Sequence, residues 1–377
     1  MAVEITFELP YTQWDWKVGF YIALIGIASG AYLMGYLADV RSRRHDEREH
    51  GRIAKWGYLT GLVGVGIGGP VLLSHLATPF RAMMVPLIMT NFGSWMAIGP
   101  YLLGGLVVGS LLLFLWVAFG RERPHGPSVT TEGEGAAADG GRDVASDGGT
   151  DSGPAKAATG GQAGGIRNVF NRVGILDYLD ALADRTRPTE TVRLGIGALF
   201  GVFAAGVLVY SAMAYGTGPA DRVPLWDKTY LIPVQVFSGL GAGAAVAVGL
   251  AALEKRSVGR TIQSYSLVAS GLLAATLVAV LATVALLPEQ VPAAEPAVEN
   301  MLSTYATLFV GGAILGGLVL PILLSVGAVV GQRRDALSPT AATGAYVAAG
   351  VLVIVGKITL ALTYLLAAEF TAIPLPM

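Results

Sequence analysis

Cysteine is absent from the 377 residues, and histidine nearly so, with only His45, His50, His75 and His125. The first absence excludes disulfides, zinc–thiolate centres and iron–sulfur clusters ligated by this chain. The second argues against an intrinsic transmembrane b-type haem, which takes two in-membrane histidines where only His75 falls in an apolar span. Charge is scarce too, at 14% against about 25% in soluble domains. A net charge of −1 gives no field to hold nucleic acid or another polyanion. A phosphate-binding loop is also missing. Gly64-Val65-Gly66-Ile67-Gly68-Gly69 lies inside an apolar run with no following Lys-Ser or Lys-Thr, and reads as packing glycines.

What the chain has in quantity is apolar residues, 53% of the total with a mean hydropathy of +0.60. It is an all-α, multi-pass membrane protein by this reading. Eight runs reach the roughly 20 residues that a helix needs to cross a bilayer: 17–40, 53–76, 92–119, 192–215, 230–253, 262–287, 305–330 and 341–367. The first sixteen residues lack Lys and Arg, and the first run exceeds the 7–15 residues of a signal-peptide core, so span one is expected to stay in the mature protein. Four regions follow. Residues 1–119 hold spans one to three. Residues 120–165, rich in Gly, Ala, Ser, Asp, Glu and Pro, read as a disordered cytoplasmic linker. In 166–187, Val169, Val173, Leu176, Leu179 and Leu182 recur at three- and four-residue steps, as in an amphipathic helix on the bilayer surface. Residues 188–377 hold spans four to eight.

Lys and Arg are dense in the connections after spans one, three, five and seven and sparse in those after two, four and six. The positive-inside rule therefore puts both termini on the extracytoplasmic side. An internal echo links Ile25-Gly26-Ile27-Ala28-Ser29-Gly30-Ala31 of span one with Phe237-Ser238-Gly239-Leu240-Gly241-Ala242-Gly243 of span five. Small residues at such spacing allow close helix packing, and two four-helix bundles are the expected architecture.

Ionisable groups in hydrocarbon cost several kcal/mol, about 2.5–3.5 even on the lenient insertion scale, and survive where they pair, face a polar cavity or touch a ligand. His75 and Arg81 close span two on the outer side, and Trp95 opens span three there. Asp15, Lys17 and Tyr21 stand at the outer entrance of span one, the last two sharing a helix face, and Tyr210 lies in the outer third of span four. Their convergence on one membrane face marks a candidate site. Lys17 also suits simple snorkelling, and Trp95 an interfacial belt. Lys357 stands apart, mid-span in segment eight, too deep for easy snorkelling. A buried partner or a water-filled proton path is expected there.

These residues resemble the NrfD-like family, the membrane subunit of polysulfide reductase and related respiratory molybdenum enzymes. Leu73, Leu76, Pro79 and Arg81 stand as in its Leu-x-Asp-Leu-Gly-x-Pro-x-Arg signature, with His75 in place of the aspartate and Ala77 in place of the glycine. Tyr21 to Ala31 resembles its first helix, Gly93-Ser94-Trp95 its Gly-Ser-Trp, and Pro224, Trp226, Pro233 and Phe237 its fifth-helix entrance. Tyr210-Ser211-Ala212 stands where the family has Tyr-Thr-Gly, and Gly356-Lys357 where it has Gly or Leu before Arg. The resemblance implies a quinone site, for menaquinone or a related quinone, formed by the first four spans. It implies an adjoining extracytoplasmic iron–sulfur subunit and, beyond it, a molybdopterin catalytic subunit. His75 with Asp15 would then be the proton acceptor, with Tyr21, Lys17, Arg81, Tyr210 and Trp95 around the quinone.

Two other classes compete. One is a secondary transporter, or a proton-translocating subunit without quinone chemistry, with Lys357 as its site; broken helices with paired midplane charges are not evident. The other is a purely structural anchor. The orientation is open to a direct test: a protease added to intact cells is expected to spare residues 120–165 and to cut them once the membrane is opened. Cleavage from outside would reverse the topology.

Overall fold

The computed structural model describes residues 15–42, 48–75, 84, 91–119, 175–215, 223–255 and 258–369. The linker at 120–165 and the signature residue Arg81 lie outside the described residues. Eight helices among those described are long and apolar enough to cross a membrane, and no strand occurs among them. In hydrocarbon every backbone N–H and C=O must be satisfied internally, which a helix achieves within one segment. The elements are α1 (Trp16–Ser42), α2 (Arg48–His75), α3 (Trp95–Ala118), α4 (Ile175–Thr186), α5 (Glu190–Met213), α6 (Lys228–Lys255), α7 (Arg260–Gln290) and α8 (Glu295–Leu302). A π-helical segment (Thr307–Val319) then runs into α9 (Leu320–Arg333), and α10 (Pro339–Leu366) closes the chain. Helices α4 and α8 are the short ones; the remaining elements supply the eight spans.

The spans run alternately up and down. We call the end where α1 starts and α10 stops the terminal end, and the opposite one, where Arg41, Arg52, Arg260 and Arg333 cluster, the basic end. Helices α1, α2, α3 and α5 pack as one bundle; α6, α7, the π segment with α9, and α10 pack as another. The two meet where α1 lies on α6 and α10.

The echoed segments form that seam. A Cβ added to Gly30 would land on the carbonyl of Gly239, and one added to Gly243 would land on the Gly30–Ala31 peptide. No residue larger than glycine fits at either position. Lipid tails are as apolar as leucine, so helices here associate through close packing and not through a hydrophobic driving force. Backbone contact of this kind is what small residues supply. Both central helices are consequently buried over most of their length.

The structure departs from expectation in three places. Span seven begins as a π-helix, not an α-helix. Pro321, just past it, has no N–H to give to the carbonyl four residues back, and Gly311, Gly312, Gly316 and Gly317 lower the resistance to a wider turn. The connection after span six contains α8, a two-turn helix begun by Pro296 near its start. Of the glycines at 64–69, only Gly64 and Gly68 face α1, while Gly66 and Gly69 have nothing within 4 Å; a period of 3.6 turns the others away. The described part of the connection between α3 and α5, up to Thr186, falls in a second unit. Its helix, expected over 166–187, is α4, and 166–174 lie outside the described residues.

The seam gives a stability test with an internal control. Gly30→Ala is expected to cost about 1–3 kcal/mol through overpacking against backbone that cannot rotate away. Gly66→Ala, with open space around it, should stay within about 0.5 kcal/mol of the parent. Unfolding in detergent followed by circular dichroism measures both.

Candidate functional site

The terminal end of the first bundle is organised by Asp15. Its carboxylate caps α1, accepting the Lys17 backbone N–H at 2.9 Å through Oδ1, as a residue at a helix start does for an orphan donor. The same oxygen lies 3.2 Å from Nδ1 of His75, the last residue of α2. Oδ2 stands 4.0 Å from the Lys17 ammonium, which also donates to the Ser74 carbonyl at 3.4 Å. One short acid thus ties the start of α1 to the end of α2. All three side chains are partly exposed, His75 at 19% and Asp15 at 38%. With Nδ1 committed to the carboxylate, Nε2 is the basic nitrogen of the imidazole.

Deeper, two phenols meet. Tyr21 lies one turn below Lys17 on α1, and its ring passes beside Gly68 of α2. Tyr210 of α5 packs against α3 at Gly99, where an added Cβ would come within 2.5 Å of the ring. The two phenols interact, yet the buried Tyr21 hydroxyl completes no hydrogen bond of regular geometry. Glycines on the facing helices make the room that the rings occupy. From Asp15 to Tyr21 is about 9 Å along the helix at 1.5 Å per residue, so the charged corner and the phenol pair are stacked in depth.

The predicted residues therefore separate into groups. Asp15, Lys17 and His75 are brought into contact, as are Tyr21 and Tyr210 below them. Trp95 opens α3 at the same end, half-buried against the core. Arg81 is not described. Lys357 belongs to a different place, the seam. There it is buried, and its ammonium donates to Gln235 Oε1 and Ser238 Oγ, each at 2.5 Å. Both partners are neutral.

Sequence reasoning missed a third group, at the basic end of the first bundle. Arg193 of α5 reaches Asp39 of α1 at 2.7 Å, and the Tyr58 hydroxyl of α2 donates to the other carboxylate oxygen at 3.2 Å. Side-chain exposures of 8% and 4% make this a buried ion pair. Tyr32 and Tyr36 extend it by donating to the carbonyls of Gly197 and Leu194. Asp39 sits just before the basic run after span one and passes for an interfacial residue. The available signal was an acid and a base within apolar spans whose ends must meet.

Eight spans in two bundles, with polar clusters at both ends of the first, make this a multi-pass membrane protein, and the sequence comparisons give the family. The family model described as "Polysulphide reductase, NrfD" matches residues 5–368, so the chain belongs to the NrfD family. It is similar to the protein described as "Protein NrfD homolog" of Haemophilus influenzae, at 29% identity over 120 residues. That match covers 31% of this chain and about a third (36%) of the relative's length.

The Asp39–Arg193 pair carries a stability prediction. Asp39→Ala leaves a buried guanidinium without its carboxylate and is expected to cost roughly 3–5 kcal/mol. Replacing both by leucine should recover most of that loss. Thermal unfolding of the parent, Asp39→Ala and the Asp39→Leu/Arg193→Leu double variant in detergent is the measurement.

Proposed function

We propose that this protein is the quinone-binding membrane subunit of a respiratory molybdopterin oxidoreductase. In this reading it exchanges electrons between the membrane quinone pool and a partner iron–sulfur subunit on the extracytoplasmic side. The observation that carries the proposal is the Asp15–His75 contact at the mouth of the first bundle, stacked over a phenol whose buried hydroxyl lacks a regular partner. Membership of the NrfD family supports it. A chain without cysteine ligates no cluster of its own, so its part is to hold a diffusible carrier beside another subunit's cofactor.

The donor set fits a quinone. A quinone head group supplies the two-electron, two-proton couple and presents two carbonyl oxygens. Tyr21 and Tyr210 offer hydroxyl donors from below, and Lys17 an ammonium from above. His75 Nε2 accepts a proton when quinol is oxidised and returns one in the opposite direction. Asp15 holds the imidazole in the tautomer that leaves Nε2 basic, and stabilises the imidazolium once it forms. The half-exposed position of both groups lets that proton pass on to solvent.

The competing transporter reading gains no charged pair at Lys357, whose partners among the described residues are an amide and a hydroxyl. His75→Ala tests the proposal in the assembled complex. Quinone-linked turnover should fall by about 10²–10⁴-fold if His75 is the sole general base. Activity with an artificial redox partner that bypasses the membrane subunit should be kept. If both activities fall together, His75 is a structural residue; if quinone kinetics are unchanged, the site lies elsewhere.

A further inference from the structure

Between α6 and α10, in the half of the second bundle nearer the basic end, lies an apolar cavity of about 80 Å³. Val246 and Leu250 line it from α6, and Val347, Val351 and Ile354 from α10. Gly249 and Gly350, also in its lining, are where the two backbones touch. A Cβ on Gly249 would come to 2.9 Å from the Tyr346 carbonyl oxygen, and one on Gly350 to 3.4 Å from that of Ala245. The cavity opens beside Val351, which is 56% exposed, while Leu250, Val347 and Ile354 are half-buried. Val347 stands eight residues into α10, about 12 Å from the basic end at 1.5 Å per residue, so the opening lies at the depth of hydrocarbon.

One turn past Leu250, on the same face of α6, is Glu254. Its carboxylate accepts from the Lys55 ammonium at 2.5 Å through Oε1 and from the Trp56 indole N–H at 2.7 Å through Oε2. Lys55 Nζ also lies 5.3 Å from the centre of the Trp56 ring. The Lys55 and Glu254 side chains are 26% and 28% exposed, as suits an ion pair at a membrane surface, and an indole N–H beside them is a usual interfacial anchor. An ammonium carries three donors, and among the described residues Glu254 takes the one hydrogen bond that Lys55 Nζ makes. Lys55 is thus a cation held in place near the cavity with donors left for an anion.

The chemistry of the lining selects what fills the cavity. Being apolar, it stays dry. A further transmembrane helix would need small residues at the contact, and the two glycines here are already spent between α6 and α10. What remains toward the bilayer is branched and bulky. A flexible hydrocarbon chain needs no such match. A chain at this depth, with a cation one turn nearer the surface, is the layout of a phospholipid. We propose that the groove between α6 and α10 is a phospholipid site of the leaflet at the basic end, with one hydrocarbon chain in the cavity and the phosphate accepting from Lys55. Glu254 and Trp56 fix the position of the ammonium. Because Lys55 belongs to α2, the lipid bridges the two bundles and completes their packing where the α6–α10 crossing leaves a gap. The site stands at the opposite end of the molecule from Asp15 and His75 and is independent of the quinone reading.

The test uses the full chain purified in a mild detergent, with phosphatidylglycerol as the probe and intact mass as the readout. The parent should keep one phosphatidylglycerol after loosely held lipid has been exchanged. It should keep the diacylglycerol of the same chains at least about tenfold less well, because that molecule lacks the phosphate that accepts a charge-assisted hydrogen bond. Lys55→Gln should weaken phosphatidylglycerol retention by a similar factor. Val351→Trp, which puts an indole across the opening, should abolish it; Val202→Trp, on a 69% exposed position of α5, should change nothing. Phosphatidylglycerol with a photoreactive group on one chain gives a second reading on the parent alone: the label should fall on the peptide that holds residues 347–354. Label spread evenly over the bilayer-facing helices means surface lipid only and overturns the proposal. So does equal retention of diacylglycerol, or full retention by Val351→Trp. A dimeric mass without lipid would assign the groove to a second copy and also overturn it.

Discussion

At the crossing of α1 and α6 the two backbones come so close that a methyl group on Gly30 would occupy the Gly239 carbonyl. Dispersion falls away steeply with distance, and lipid offers helices no hydrophobic reason to associate, so contact at this range holds the two bundles together. Its consequences reach both sites. With α1 pressed against α6 on one side, the remaining faces of α1 turn to α2 and α5, which places Tyr21, Tyr32 and Asp39 in the first bundle. The seam also fixes Gly26 beside Gln235 and Ser238, and so defines the space into which Lys357 extends from α10.

Around this seam, polar groups are sorted by what their depth permits. At the terminal end Asp15, Lys17 and His75 keep partial access to water, which screens their charges. In the interior, Lys357 apart, the chain uses phenols, hydroxyls and an amide, whose desolvation costs less than that of an ion. The full ion pair Asp39–Arg193 is tolerated because the guanidinium lies 2.7 Å from one carboxylate oxygen and Tyr58 satisfies the other. Glu49 works similarly at the basic end, accepting the backbone N–H of Gly259 at 2.8 Å where α7 begins and holding Arg52 at 3.2 Å. In both of these cases each carboxylate oxygen has a hydrogen-bond donor.

Much of this was legible in the residues. The eight spans follow from the length of apolar runs, because a membrane leaves backbone polar groups no alternative to a helix. The echo of 25–31 in 237–243 marked two segments suited to close helix packing, and the structure packs them on each other. Asp15 and His75 were expected on one membrane face, and the structure brings their side chains to 3.2 Å. Other features left weaker traces. Gln235 and Ser238 are neutral, so their presence in a span carries little cost and draws little notice until Lys357 is seen to need them. The π segment depends on where Pro321 and four glycines fall relative to the facing helix, a tertiary matter. The Asp39–Arg193 pair joins positions 154 residues apart, across a linker whose length says nothing about which helix faces meet.

The departure at residue 75 now has a physical account. Where the family signature it resembles places an aspartate, this chain has a histidine, and the carboxylate sits instead on Asp15, the residue that caps α1, 3.2 Å away. An aspartate alone at the end of α2 would carry negative charge toward the negative end of a helix dipole. An imidazole there is favoured when protonated, and Asp15 supplies the opposite charge from a helix N-terminus, where a carboxylate is itself stabilised. Both groups occupy the helix end that suits their sign. The exchange also divides two duties a lone carboxylate would combine. Orientation falls to Asp15, which is fixed by the Lys17 backbone N–H, and proton acceptance in the proposed site falls to Nε2 of His75.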